Sequence, residues 1–525
     1  MILIHPPVAK PCEPPAGITK LAGFLRANGV DCLPLDANLE GTLYLLDRPL
    51  QPTDTWTKRA TRNLEHNLHA LREWQLYESP DRYRRTVMDL NRVIAASGKQ
   101  SHARISLSDF QHEKLSPLRS GDLLASAEHP EADPYYHYFS ARLPPFIQQN
   151  TDGVVGFSLT YLSQAIPTFA MIGFLKREFP ALRLVLGGGL VTSWMRREGW
   201  RSPFAGLVDD MVDGPGEYPL LRILGKSALA LDIPAPRFLD LPMERYLAPG
   251  SILPYAASSG CYWGRCSFCP ETAEGNEYGP LPPDLVVEQL RSLAHEMKPA
   301  LFHLVDNALS PVLMERMARP GLLSADDART LWYGFARITP HLANPDFCRA
   351  LRASGCVMLK LGLESADQEV LDSMHKGHNV DVARRALAAL RQADIATYVY
   401  LLFGTPQETE AAARTTLQFV VNEGEHIDFL NLALFNLPVA APGVCLLDTT
   451  PFYTGDLSLY TDFKHPHGWD RREVRQFLDK EFKRHPVVQK ILNRHPLFFT
   501  SNHAPFFAAS RARRSAALDS RPGYV

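Results

Sequence analysis

The runs LPYAASS (253–259), ALFHLVDN (300–307), LWYGFARI (331–338), VMLKLGLES (357–365), TYVYLLFG (397–404) and FLNLALFNL (429–437) decide the fold. Each is a short, nearly continuous apolar stretch, as expected of a strand covered on both faces. Between them, at 285–296, 345–353 and 381–393, apolar residues recur at helical spacing. Six strands, each followed by a helix or a turn, predict a partial (β/α)6 barrel over 251–438, with its functional groups at the C-terminal strand ends.

Toward the N-terminus, residues 226–250 are rich in Pro and Ala, show little periodicity and read as a linker. Before them, MILIH (1–5) stops at Pro6-Pro7, helical spacing over 17–27 closes at Gly29, and 30–35 returns as a strand, a βαβ opening. From about 41 to 150 the chain is polar and helix-prone, as in TKRATRNLEHNLHALREWQ (57–75), and reads as a helical insertion. VVGFSLT (154–160), LRLVLGG (182–188) and LVDDMVDGPGE (207–217) then supply strands, with helices at 165–177 and 217–224. Five strands with helices between them make residues 1–225 an α/β, doubly wound (Rossmann-like) parallel sheet, which binds ligands beyond its strand ends. Residues 439–525 are irregular, then α-helical, an extension carrying His465, His467, His485, His495 and His503 that could line or cover a substrate cavity. The tail after Phe507 looks disordered.

The 525 residues are 45% hydrophobic and 21% charged, ordinary for a globular chain. Lys plus Arg number 55 against 57 acidic residues, so no basic surface points to nucleic acid. The N-terminus lacks a basic region followed by an apolar run, and no stretch approaches the length of a membrane span, so a cytoplasmic protein is expected. Eight cysteines are too sparse for a disulfide scaffold. Cys12, Cys32, Cys348, Cys356 and Cys445 are scattered and read as small buried hydrophobes.

The other three stand in SSGCYWGRCSFCP (258–270), after the first barrel strand, as C-x4-C-x2-C at Cys261, Cys266 and Cys269. Three soft thiolates on one loop suit zinc or an iron–sulfur cluster. Structural zinc takes four protein ligands, whereas no fourth cysteine is near and His295 lies on a predicted helix well downstream. A 4Fe–4S cluster on three cysteines leaves one iron open to a substrate, so iron–sulfur is the leading reading and zinc the alternative.

The segment resembles the radical S-adenosylmethionine (SAM) superfamily, whose usual motif is C-x3-C-x2-C with an aromatic before the last cysteine. Phe268 fills that place, and one extra residue separates Cys261 from Cys266. VMLKLGLESADQEVLDSMHKG (357–377) is similar to the family's fourth-strand segment, implying Glu364 and Ser365 near bound SAM. YVYLLFGTPQET (398–409) is similar to the fifth, implying Gly404, Pro406 and Glu408 near the adenosine. FHLVDNALS (302–310) looks like the second-strand end, with Asp306 and Asn307 facing the amino-acid part. Arg337, ending the third strand, matches the SAM carboxylate in geometry. Alone, Glu364 or Arg337 reads as a surface charge and Gly404 with Pro406 as a turn; their recurrence at successive strand ends carries the resemblance. It implies a deoxyadenosyl radical formed by reductive cleavage of SAM, and hence an electron donor such as flavodoxin or ferredoxin.

The N-terminal sheet has no G-x-G-x-x-G after its first strand and no G-x-x-x-x-G-K-[ST], which removes the dinucleotide and nucleoside-triphosphate readings. Residues 1–40 and 151–225 resemble the cobalamin-binding domain of one radical SAM subfamily, implying cobalamin against Ser158, Thr160, Gly187, Gly188 and Gly214. The D-x-H-x-x-G motif that supplies a histidine to cobalt elsewhere is missing. The resemblance implies cobalamin-dependent methylation of an unactivated carbon in a small molecule or peptide. The alternative is a radical SAM oxidoreductase, cyclase or rearrangement enzyme. A non-catalytic electron carrier is disfavoured, because it needs no SAM pocket.

Overall fold

The apolar runs of the first 225 residues form one sheet. Ile2–His5 (β1), Leu33–Asp36 (β2), Val154–Ser158 (β3), Arg183–Gly187 (β4) and Asp210–Met211 (β5) pair in parallel in the order β2-β1-β3-β4-β5. Ile2 pairs with Val155, and Val155 with Leu184. The order reverses between β1 and β3, which places the ligand crevice of a doubly wound sheet there. Helix Ala16–Ala27 sets Ile18, Ala22 and Leu25 against Leu3, Val154 and Val185 in one apolar cluster.

The computed structural model describes residues 1–51, 54–149, 152–229, 233–320, 331–441, 446–496 and 502–510; Cys445 and the tail beyond Ser510 lie outside these. The chain divides into one unit of residues 1–73, 81–251 and 452–459 and another of 74–80, 252–451 and 460–525. The insertion is mainly helical, with Pro80–Gly98 its longest helix and a short hairpin of Ala103–Ile105 and Phe110–His112. The stretch read as a linker is fastened to the sheet unit instead. Arg237 N–H donates to the Thr19 carbonyl at 3.0 Å, Leu247 N–H to Pro11 at 2.9 Å, and the Tyr246 hydroxyl to Asp36 at 2.7 Å. Prolines hold this backbone extended without a helical or strand period, so its buried Phe238, Tyr246 and Leu247 leave no periodic signal.

In the second unit Ile252–Tyr255 (β6), Leu301–Leu309 (β7), Trp332–Ala336 (β8), Cys356–Glu364 (β9), Ala396–Phe403 (β10) and Phe429–Leu434 (β11) form a parallel sheet in strictly sequential order, the partial (β/α)6 barrel. All of β9 is buried, as a parallel strand covered on both faces must be. Asn344, Asn379 and Thr409 cap the helices Pro345–Ala353, Val380–Gln392 and Glu410–Asn422 by accepting from first-turn N–H groups. The extension is not only helical: Leu437–Pro438, Thr449–Pro451 and Tyr460–Phe463 form an antiparallel sheet before helices Arg471–Lys480 and Pro486–Leu492.

Four of its histidines make hydrogen bonds within the unit, and His467 is exposed. His465 Nε2 meets the Thr405 carbonyl at 2.8 Å, His495 the Tyr398 hydroxyl at 2.9 Å, and His503 the Tyr77 hydroxyl at 3.3 Å, while His485 caps Pro486–Leu492. Ala509 and Ser510 are buried at the end of the described tail. Cys12, Cys32, Cys348 and Cys356 are free and buried, as their scatter suggested. Among the described residues no helix is long and apolar enough to cross a membrane.

Candidate cofactor sites

The cysteine loop starts where β6 ends and is pinned from β7. Asp306 accepts from Ala257 N–H at 3.1 Å and from the Ser258 hydroxyl, and Asn307 donates to the Gly260 carbonyl at 3.3 Å. Gly260 (φ 66°) has no room for a Cβ, which would lie 2.4 Å from the Glu277 carbonyl. Farther along, Ser267 N–H donates to the Met374 carbonyl at 3.1 Å. Phe268 packs among Val370, Leu371 and Met374, and also against Phe435 and Leu437. Asp306 and Asn307 thus hold the loop, and Asp306 also lines a cavity of about 460 Å³ with Ala257, Ser258 and Tyr262.

Cys266 is buried, Cys261 and Cys269 are partly exposed, and none is in a disulfide. Burial pushes the Cys269 thiol up to about 11. Burial also raises Cys266, with Lys376 and Arg337 pulling it back. Among the described residues no three His, Cys, Asp or Glu side chains converge as a single metal ion requires. A 4Fe–4S cluster takes one thiolate on each of three irons, so a donor set of three free soft thiols on one loop fits it by its chemistry.

Around this loop stand the ends of β8, β9 and β10. Glu364 pairs with Lys376 at 2.8 Å, both buried. Ser365 is turned away from the strand ends, its hydroxyl 3.2 Å from that of Thr416 and accepting from Asp367 N–H. Arg337 is 5% exposed, donates to the Lys376 carbonyl, and leaves Nε without a partner. Glu408 is wholly buried: Oε2 accepts from Gly404 N–H and from Trp469 Nε1 at 3.0 Å, and Oε1 has no partner. Burial raises this carboxyl to about 7.

Sequence reasoning gave no role to His378. It is 8% exposed, and neither ring nitrogen has a hydrogen-bond partner. Burial, then Lys376 and Arg337, push it down to about 3, so it is neutral. Its signal was the run MHKGH (374–378), close behind the Glu364–Ser365 pair. The Tyr262 hydroxyl, Arg337 Nε and the His378 nitrogens are donors and acceptors left open by the cysteine loop and the turn that holds it, and Glu408 Oε1 is open between Gly404 and Trp469. Buried polar groups are rarely left unbonded, so this set fits a polar ligand bearing an anionic group.

The sheet unit holds a cavity of about 210 Å³. Ser158, Gly187, Gly188 and Gly214 line it together with Leu3 and Val212, and Lys20 and Glu217, paired at 2.7 Å, stand beside it. Gly188 (φ 109°) brings its backbone so close to Leu159 that a Cβ would lie 2.5 Å from the carbonyl oxygen. Thr160 does not line the cavity; it is exposed, and its N–H is taken by the Gln164 side chain at 3.0 Å. The bare glycine edges and apolar floor fit part of a large ligand. His5, ending β1, is buried beside Gln164 and lowered to about 4 by burial.

A sequential six-stranded parallel barrel with a three-cysteine loop at its strand ends defines the class. In the second unit, residues 255–420 match the model of the radical SAM superfamily. The chain is 27% identical over 213 residues to the bacteriochlorophyllide d C-12(1)-methyltransferase of Chlorobaculum tepidum, covering 38% of this chain and 42% of that one. It is 28% identical over 159 residues to the anaerobic magnesium-protoporphyrin IX monomethyl ester cyclase of Cereibacter sphaeroides, covering 29% and 25%. This chain thus spans under half the length of either relative. The radical SAM methyltransferase TsrM from Kitasatospora setae, solved with cobalamin and a 4Fe–4S cluster, superposes with a TM-score of 0.49 at 17% identity, over 83% of this chain and 75% of that one.

Proposed function

We propose that this chain is a cobalamin-dependent radical SAM methyltransferase that methylates an unactivated carbon. The observation that carries the reading is the loop of three free cysteines in a radical SAM domain, ringed by buried polar atoms without partners. When bound, the cluster supplies the electron that opens the S–C5′ bond of SAM, and cobalamin supplies a carrier for the methyl group. Cys261, Cys266 and Cys269 hold the cluster. Arg337, with Nε open, receives the SAM carboxylate. Glu364 and Lys376 neutralise each other and add no net charge, and Phe268 and Gly404 with Glu408 shape the adenosine side. Ser158, Gly187, Gly188 and Gly214 take the corrinoid, and Thr160 has no part in that contact. The substrate is a small molecule or peptide, and the electron comes from a donor such as flavodoxin or ferredoxin in the reducing cytoplasm.

The test is anaerobic reconstitution of the full chain. It should hold about four irons and lose them when Cys261, Cys266 and Cys269 are all replaced by Ala. With substrate and methyl-deuterated SAM, label should enter the product alongside deoxyadenosine and S-adenosylhomocysteine. Stoichiometric zinc without iron defeats the reading. Deoxyadenosine without S-adenosylhomocysteine and without label selects the second reading, an oxidoreductase, cyclase or rearrangement enzyme, which the resemblance to a cyclase favours.

A further inference from the structure

The lengthened loop between Cys261 and Cys266 carries Trp263, whose indole is held on three sides. Nε1 donates to the His375 carbonyl at 2.9 Å. The ring edge rests on Gly377, where a Cβ would lie 2.1 Å from the indole. The ring face lies under the Arg337 guanidinium, whose Cζ is 3.9 Å from the ring centroid, and the Tyr262 ring flanks the same group at 5.7 Å. Arg337 has no carboxylate partner among the described residues; its terminal nitrogen donates to the Lys376 carbonyl. Through these two rings Arg337 sits against the loop that joins Cys261 to Cys266. An indole face is the strongest aromatic partner for a cation. A guanidinium stacked this way keeps its plane and charge fixed without being neutralised by a protein carboxylate, and it is a net cation until SAM binds.

We propose that Trp263 is a positioning residue: it holds the Arg337 guanidinium against the Cys261–Cys266 loop, where the fixed charge raises the reduction potential of the cluster. The inference rests on the cluster reading above. One-electron reduction adds negative charge to the cluster, so a nearby fixed cation favours the reduced form, and net charge and hydrogen bonding are the means by which a protein tunes such a potential. Of the two guanidiniums over the Trp263 ring, Arg337 at 3.9 Å is buried and the nearer, and Arg265 at 5.2 Å is exposed to solvent that screens it, so the role of Trp263 runs through Arg337.

The experiment is a potentiometric titration of the reconstituted full chain followed by electron paramagnetic resonance. Trp263→Ala and Arg337→Gln should each lower the midpoint potential, and the double variant should fall no further than either. Trp263→Phe, which keeps a stacking face, should stay near the wild-type value. Gly377→Ala, which drives the indole off its place without removing it, should reproduce the drop and serves where Trp263→Ala does not fold. A wild-type potential in Trp263→Ala or Gly377→Ala, or additive shifts in the double variant, overturns the proposal. Failure of the wild-type chain to take up iron defeats the cluster reading and this role with it; normal iron uptake with unmoved potentials defeats this role alone.

Discussion

Glu364 ends β9 in a left-handed backbone conformation (φ 64°) and turns its carboxylate back to the Lys376 ammonium, 2.8 Å away, across the bare Cα of Gly362. A Cβ on Gly362 would lie 2.5 Å from Glu364 Oε1, 2.8 Å from Lys376 Nζ and 3.3 Å from the Phe335 ring. The missing side chain in the sequence LGLE is therefore what lets two buried charges meet in the barrel.

Gly362→Ala should force the pair apart and cost about 1–3 kcal/mol, the usual penalty of overpacking. Lys376→Met should cost more, about 3–5 kcal/mol, because it leaves the Glu364 carboxylate buried without its cation. Urea denaturation of the cluster-free protein measures both. An unchanged midpoint in Lys376→Met would mean that the pair does not bear on stability.

Glu408 gives a pH dependence with a definite sign. Its carboxyl is raised from 4.5 to about 7 in the folded chain. Between those values the folded state keeps a proton that the unfolded state has lost, so stability falls as pH rises from 4.5 to about 7 and is flat above. Glu408→Gln removes that slope. The stability of the variant relative to wild type should therefore climb by about 3 kcal/mol across that window, read as urea midpoints at successive pH values. A constant difference would show that Glu408 does not titrate there.

The strands around the cysteine loop were legible because each is an apolar run stopped by a polar strand end, and such patterns need only local sequence. The partners of those ends were not. Asp306 lines a cavity at its strand end and also bonds Ala257 and Ser258 on a neighbouring strand end, and no periodicity encodes that pairing. Trp469 reaches Glu408 from 61 residues away. The histidines of the extension suggested a cavity lining or cover, and their bonds, His465 to a carbonyl and His495 and His503 to two tyrosines, join residues too far apart in sequence for any local pattern to encode. The segment 74–80 sits in a helical, polar stretch and still joins the barrel unit, where Tyr77 packs on Phe506 and Phe507.

The crevice of the sheet unit can be closed without touching the barrel residues. Gly187→Leu adds a side chain where the nearest neighbour of a Cβ is Val212 at 3.4 Å, so the chain should fold with the cavity filled. Reconstituted with cobalamin, the wild-type chain should show a bound corrinoid spectrum after gel filtration, and Gly187→Leu should lose it while keeping its iron. Retention of the corrinoid by the variant would place its site elsewhere. Because His5 is buried beside Gln164, His5→Ala should leave that spectrum unshifted.

His378 separates a packing role from a ligand role most sharply. Its two nitrogens are buried without partners, a state that costs stability in the ligand-free chain. His378→Phe removes the open polar atoms and keeps a ring of similar shape, so it should leave stability unchanged or raise it by about 1 kcal/mol at neutral pH. The gain should grow as pH falls below 6.5: there the unfolded imidazole takes a proton that the folded one, lowered to about 3, refuses, so wild type loses stability and the variant does not. If the open nitrogens await a ligand, the same variant should release deoxyadenosine about tenfold more slowly under reducing conditions, the value of one lost hydrogen bond. A less stable variant that cleaves SAM at the wild-type rate would make His378 a packing residue.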